Sequence, residues 1–215
     1  MRTLLVAESH VAEVPGDASV RVVPLPTVPG RPSEGLPQRY CRLVYCLGYG
    51  EDNMCEPTPV KNSGTWQYWD MFGQIGRGIG RTQPRKSTAD AATRMAWKLG
   101  TLHALQAMGV WLVDASIIAL YAPGGQRLFK GRPYERTVRE SWSRFVWPAV
   151  AHEPLEQIWV IGRGVWSALG GLPEMAHARV VSQPQDRNAE RFRSEFAGMV
   201  HAIRRESSAA PTVTK

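Results

Sequence analysis

The sequence predicts an α/β fold, a three-layer sandwich in which a mainly parallel sheet of about four or five strands is flanked by helices. Two patterns predict it. Short apolar runs without polar alternation are typical of strands buried on both faces, and segments with apolar residues at helical spacing separate them. In a chain of 215 residues, an apolar fraction of 43% and eight Trp residues supply enough material for the core of a single domain.

The predicted strands are the apolar runs at residues 3–7, 42–47, 110–115 and 157–162, together with a shorter run at 178–182. The predicted helices lie at residues 88–108, 136–150, 164–169 and 189–205. In the first of them, Met95, Leu99 and Leu102 recur at spacings of four and three residues, which places apolar side chains on one face. Strands and helices that alternate in this way favour parallel pairing.

Two segments have no predicted helix or strand. Residues 24–37 are rich in Pro and Gly and are predicted to form a surface loop, and residues 48–87 form a long second loop rich in Gly and Arg. The second loop contains Trp66 and Phe72, whose rings can bury surface, so we expect it to be ordered. Residues 1–206 are predicted to form one domain, followed by a flexible tail at 207–215.

Composition limits the classes of function. Cys41, Cys46 and Cys55 are odd in number and follow no signal-peptide pattern, which favours reduced thiols in a cytoplasmic protein. They include no CxxC pair, although a zinc site of three Cys and one His stays an alternative. We expect no metal, no cofactor, no membrane span and a monomer. The net charge of +7 favours binding to phosphate backbones and therefore to nucleic acid.

Candidate site residues lie at the ends of the predicted strands, where open parallel sheets bind ligands. They are Glu8 and His10 after the first strand, Tyr45 within the second, Asp114 and Ser116 at the third, and Gln183, Gln185 and Arg187 after the last. Arg77, Arg81 and Arg85 of the long loop are candidates for contacts with phosphates.

The order and context of these segments resemble those of uracil-DNA glycosylases. Residues 109–120, GVWLVDASIIAL, are similar to the family's GVLLLNTVLTV segment, whose strand carries the residue that reads uracil. Residues 182–185, SQPQ, fall where the family's HPS loop inserts into DNA. Residues 43–47, LVYCL, are similar to the segment whose aromatic ring stacks on the flipped base, and residues 6–10, VAESH, stand where its water-activating motif follows the first strand.

The resemblance implies a uracil-DNA glycosylase-like fold and an enzyme of DNA base excision repair. Such an enzyme flips uracil, or another deaminated base, out of single- or double-stranded DNA and hydrolyses its N-glycosidic bond. Glu8 would orient the water, with His10 and Asp114 as the alternative catalytic residues for this step. His10 would otherwise support Glu8 or donate to the leaving base, and Tyr45 would stack on the base. Ser116 would also contact the base. Gln185 and Arg187, with Arg77 and Arg81, would contact the DNA strand.

The chain differs from the family pattern at two positions, and residues 6–10 also lack the Gly and Pro of the water-activating motif. The usual Asn is Asp114 and the usual His is Gln183, which can donate to O2 of uracil but carries no charge. A neutral Asp114 carboxyl satisfies both N3–H and O4 of uracil, and burial between Val113 and Ala115 would raise its pKa and favour that state.

Two other functions stay open. One is a nucleic-acid-binding protein that keeps this fold without catalysis, because the family's Asn and His are both replaced. An unrelated α/β hydrolase of a small molecule is the third alternative, although the chain has no G-x-S-x-G motif. Each carboxylate also has a structural interpretation, because Glu8 and Asp114 could cap the segments that follow them.

Overall fold

The structure is a computed structural model, and it describes residues 1–8, 21–22, 51, 55–57, 66–118, 120–121, 126–186 and 190–209. The chain divides into two compact units. The sheet unit comprises Met1–Glu8, Leu105–Ile117 and Glu135–Lys215, and the loop unit comprises Ser9–Ala104 and Ile118–Tyr134. The predicted strand at 42–47, the loop at 24–37 and residues 210–215 of the tail lie outside the described residues. The single domain stays a prediction.

In chain order, the strands are β1 (Thr3–Ala7), β2 (Arg21–Val22), β3 (Cys55–Glu56), β4 (Val110–Asp114), β5 (Gln157–Ile161) and β6 (Arg179–Val181). The α-helices are α1 (Trp66–Gly76), α2 (Ala91–Ala107), α3 (Arg132–Ser141), α4 (Trp147–Val150), α5 (Arg163–Leu169) and α6 (Glu190–Ala209). A π-helical segment, Trp142–Val146, joins α3 to α4, and short 3₁₀ turns lie at Pro173–Met175 and Pro184–Asp186. No helix in the described ranges is long and apolar enough to cross a membrane.

The sheet unit is built on a parallel four-stranded sheet in the order β4-β1-β5-β6. All five residues of β1 are buried, since the strand has a hydrogen-bonded neighbour on each side. Helix α5 packs against β5 and β6, helix α6 packs against β6, and α5 begins two residues after the last residue of β5. The predicted α/β class and parallel sheet flanked by helices are confirmed, and this arrangement is compatible with a three-layer sandwich.

Strand β4 differs from the prediction that its run is buried on both faces. Only Val110 of the strand is buried, and Trp111 is 50% exposed. These side chains are more exposed because β4 lies at one end of the described sheet and pairs with β1 on one side. The apolar run predicted the strand correctly but not its place in the sheet.

The helix predicted at residues 136–150 begins earlier and is not uniform. It begins at Arg132, and Pro133 occupies the first turn, where a missing N–H costs no hydrogen bond. Its middle turn is the π-helical segment, in which Trp142 and Val146 are buried. Trp142 stacks on Trp147 with 6.1 Å between ring centroids. The other predicted helices agree within a few residues, and α6 continues to Ala209, into the segment predicted as a tail.

The loop unit contains a helix that the sequence did not predict. Residues 66–76 were assigned to a long loop because of their glycines, yet they form α1. Tyr68, Phe72 and Ile75 follow the i, i+4, i+7 pattern of a helix face and are at most 1% exposed. A Cβ on Gly73 would lie 2.4 Å from Cη2 of Trp97 and 2.7 Å from the Arg81 carbonyl oxygen, so this glycine permits close packing inside the helix.

Helix α2 begins three residues later than predicted, because Asp90 caps it. The Thr93 backbone N–H donates to Oδ1 of Asp90 at 2.7 Å, and this hydrogen bond lowers the pKa of the Asp90 carboxyl. Residues 88–90 therefore precede the helix.

Two glycines in helices test this packing in opposite directions. We expect Gly73→Ala to lower the free energy of unfolding by about 1–3 kcal/mol, because the methyl group collides with Trp97 and with backbone. Gly198→Ala, in α6 with nothing within 4 Å of the added Cβ, should raise it by about 0.5–1 kcal/mol through helix propensity. Urea unfolding of both variants measures the difference, and equal effects would contradict the described packing of α1.

Candidate functional site

The carboxyl edge of the parallel sheet brings together residues that are far apart in the sequence. Ala7, the last residue of β1, is opposite Asp114 of β4 and Ile161 of β5. The Ala115 N–H donates to the Ala7 carbonyl at 2.7 Å, and the Gly162 N–H donates to the Val181 carbonyl at 2.7 Å. The residues that follow each strand therefore leave the sheet at one edge, where parallel sheets bind ligands.

Glu8 and Gln183 meet at this edge. Glu8 follows β1 directly and is 1% exposed. The Gln183 side-chain amide donates a long hydrogen bond, 3.4 Å from Nε2, to Oε2 of Glu8. Since a Gln amide carries two N–H donors, the second remains for another acceptor. The pair therefore offers a buried carboxylate that can accept a proton and a neutral amide that can donate a hydrogen bond.

Gly162 makes room for Gln183. Its φ of 105° lies in the region that favours glycine, and an added Cβ would lie 3.1 Å from both Cγ and Nε2 of Gln183. A side chain at this position would therefore push Gln183 away from Glu8. The sequence predicts the end of a strand at Gly162 but no role for the residue.

Glu195 of α6 anchors the loop that carries Gln183. Both the backbone N–H and the hydroxyl of Ser182 donate to its Oε2 at 2.8 Å. Its other oxygen accepts from Arg191 at 2.9 Å and from Arg163, the first residue of α5. Desolvation raises the pKa of Glu195, but the hydrogen bonds from Arg191 and Ser182 and the charge of Arg163 oppose it and lower the pKa to about 2.

The other predicted residues of the sheet unit lie at or near this edge. Asp114 is half-buried at the end of β4, Ser116 is completely buried two residues later, and Gln185 is exposed in a 3₁₀ turn. The apolar neighbours Val113 and Ala115 predicted that Asp114 is buried, and in the structure it is only half-buried. His10, Tyr45 and Arg187 lie outside the described residues, so their roles stay predictions, as do those of the residues that are described.

The predicted phosphate-binding arginines belong to the loop unit. Arg77 and Arg81 are both exposed, and Arg77 also donates to the Trp97 carbonyl at 3.3 Å. The Arg85 guanidinium lies 4.0 Å from the centroid of the Trp66 ring and forms an ion pair with Asp70. Arg81 and part of Arg85 therefore face solvent.

The loop unit also contains a buried ionic cluster that the sequence analysis missed. Glu51 accepts from Arg94 Nε and from Lys98 Nζ, both at 2.9 Å, and all three side chains are at most 4% exposed. Burial lowers the pKa of Lys98, and the Glu51 charge opposes this shift. The signal in the sequence is the pair of cations four residues apart among the apolar residues of α2.

Comparison with known proteins gives no relative: no family model, no curated protein and no solved structure matches this chain. Its function is therefore inferred from the chemistry of these residues. Among the residues that the structure describes, no group of three or more His, Cys, Asp or Glu side chains could hold a metal ion. The alternative of a zinc site involves Cys41 and Cys46, which lie outside them.

Removing the charge of Glu195 tests the loop anchor. We expect Glu195→Gln to lower the free energy of unfolding at pH 7 by about 1.5–3 kcal/mol, as for hydrogen bonds to a charged group. The pKa of the folded state is depressed from 4.5 to about 2, so the ionised form stabilises the fold above pH 4.5 and this contribution is lost as the pH falls toward 2.

Urea unfolding from pH 7 to pH 3 measures this dependence. The difference in the free energy of unfolding between the wild-type protein and Glu195→Gln should be constant above pH 5 and shrink below pH 4.5. Glu190→Gln, an exposed residue of the same helix, is the control for the loss of one carboxylate. A difference that did not change over this pH range would contradict the stabilisation of the fold by ionised Glu195.

Proposed function

We propose that this chain is a DNA glycosylase that hydrolyses the N-glycosidic bond of uracil, or of another deaminated base, in DNA. The observation that supports it best is the approach of Gln183 to Glu8, because these two residues were predicted from separate parts of the sequence to share one site. The proposal includes a uracil-DNA glycosylase-like version of the three-layer α/β fold.

In the proposed reaction, a water molecule attacks C1′ of the deoxyribose. The C1′–N bond breaks and its electron pair leaves with the base, while the new C1′–O bond forms with the water oxygen. Glu8 accepts the proton of the water and, while ionised, stabilises the positive charge that develops on the sugar. The base leaves as an anion and takes up a proton from solvent, and Glu8 releases its proton to solvent, so the products are free base and an abasic site.

Recognition of the base is assigned to Gln183 and Asp114. One N–H of the Gln183 amide contacts Glu8, and the other can donate to O2 of uracil, where negative charge increases as the bond breaks. Asp114 lies at the end of β4, and as a neutral carboxyl it would accept from N3–H and donate to O4. Ser116, Tyr45 and His10 complete the proposed site.

Access to Glu8 requires movement. With 1% of its surface exposed, the carboxyl can contact a base only after the atoms that cover it are displaced. A flipped base that displaces them also excludes bulk water, and electrostatic interactions strengthen in such a site. The net charge of +7 supports a DNA partner, because Lys and Arg release counterions from the phosphates on binding.

Incubation with a labelled oligonucleotide that contains one uracil, followed by alkali, tests the proposal. Strand scission requires an abasic product and therefore excision. A mobility shift without scission would favour the nucleic-acid-binding protein without catalysis. Neither scission nor a shift would leave the hydrolase of a small molecule as the better interpretation.

Replacing Glu8 should abolish most excision. We expect Glu8→Gln to reduce the single-turnover rate by about 100-fold or more, because the amide cannot accept the proton of water at neutral pH. Binding of the oligonucleotide should change little. Glu140→Gln, with a side chain 52% exposed on α3, is the matched control and should excise at the wild-type rate. A Glu8→Gln protein that excises as fast as this control would remove Glu8 from the mechanism.

Two substitutions of Asp114 separate recognition from catalysis. Asp114→Ala should reduce kcat/KM for uracil by roughly tenfold to a hundredfold, as for the loss of a hydrogen bond to the flipped base. Asp114→Asn keeps the size and restores the amide of the resembling family, so it should retain uracil excision and narrow the range of other bases. If Asp114→Asn lowers kcat/KM as much as Asp114→Ala does, Asp114 also activates water. Wild-type rates in Asp114→Ala on every tested base would place Asp114 outside the site.

A further inference from the structure

An isoleucine stands at the tip of a tight turn between α1 and α2. The Arg81 N–H donates to the Gly78 carbonyl at 3.0 Å and closes the turn, and Gly78 and Gly80 have φ values of 128° and 80°. Ile79 lies between these glycines and is 82% exposed, more than any other large apolar side chain in the described part of the chain.

Both ends of this turn are firmly held. On one side, the Arg77 N–H donates to the Gly73 carbonyl at 2.8 Å, and its guanidinium lies 5.6 Å from the centroid of the Trp97 ring. On the other side, the Gln83 N–H donates to Oδ1 of buried Asp70 at 2.8 Å. The contacts with α1 and α2 therefore fix the direction in which the tip projects.

The surroundings of Ile79 are strongly basic. Residues 76–86 contain four cationic side chains and no acidic one. The four cations, all exposed, are Arg77, Arg81, Arg85 and Lys86, and Arg85 also forms an ion pair with buried Asp70. An apolar tip whose neighbours along the chain are cationic is complementary to a partner that is anionic outside and apolar inside. A DNA duplex has this composition, with phosphates at its surface and stacked bases within.

We propose that Ile79 is a wedge that inserts between stacked bases of duplex DNA, while Arg81 and Lys86 contact the flanking phosphates. Isoleucine is among the apolar side chains that unstack a base step in this way. The inference rests on the DNA partner of the proposed function but requires no excision.

A duplex without uracil, carrying 2-aminopurine, tests the wedge, because the fluorescence of this base rises when it is unstacked. Titration of the wild-type protein should raise the fluorescence. Ile79→Ala should lose most of that rise and bind the duplex about tenfold more weakly, since the tip no longer buries its side chain between the bases. Ile79→Leu should restore both. Arg81→Ala should weaken binding to all duplexes alike and reduce the salt slope by about 1.

Leu128→Ala is the matched control, because Leu128 is an exposed aliphatic residue of the same unit, at 52%. It should behave as wild type, and all variants should show the wild-type unfolding midpoint. No fluorescence rise with wild type, or an equal loss in Ile79→Ala and Leu128→Ala, would overturn the inference. So would an Ile79→Ala protein that binds the duplex normally and loses binding only to vesicles of anionic lipid, which would indicate a membrane contact instead.

The two proposals fail separately. If the wild-type protein unstacks the duplex but excises no uracil, the wedge stands without the glycosylase. If it excises uracil and Ile79→Ala excises and unstacks equally well, the glycosylase stands without the wedge.

Discussion

The pairing of β1 with two neighbours constrains the rest of the sheet unit. One register fixes Ala7 opposite both Asp114 and Ile161, so a slip of one residue would bury Glu8 in the sheet and move its partners out of line. The five consecutive buried residues of β1 oppose such a slip. A shift by one residue would put the charged side chain of Glu8 in the place of Ala7 inside the sheet, where burial of a charge is costly. The position of the candidate catalytic carboxylate is thus a consequence of packing in the strand before it.

The sequence predicted what depends on local pattern and missed what depends on packing. Apolar runs identified β1, β4, β5 and β6, and the rule that ligands bind at strand ends grouped Glu8 with Gln183, which lie within 3.4 Å of each other. Helix α1 was missed because Gly73 and Gly76 are poor helix formers, and the close approach of Trp97 that explains Gly73 comes from another helix. The role of Glu195 was unpredictable for the same reason, since Ser182 and Arg163 meet it only in the folded chain.

Two carboxylates with similar partners do different work in the two units. Glu195 is 20% exposed and holds a loop through four donors, so a change at this position should alter the loop before the core. Glu51 is 1% exposed and faces two buried cations, so loss of Glu51 would leave two positive charges in the interior without their carboxylate partner. The first arrangement suits a site whose side chains adjust to a ligand, and the second suits a fixed framework.

The long separation between β1 and its neighbours has a consequence for synthesis on the ribosome. Thr3 pairs with Val110 and with Gln157, so β1 leaves the exit tunnel long before either neighbouring strand has been translated. During that time its apolar side chains have no strand to pair with, and nascent chains with such segments are prone to aggregate or to recruit chaperones. Expression yield in cells should therefore depend on chaperone supply as well as on the stability of the finished fold.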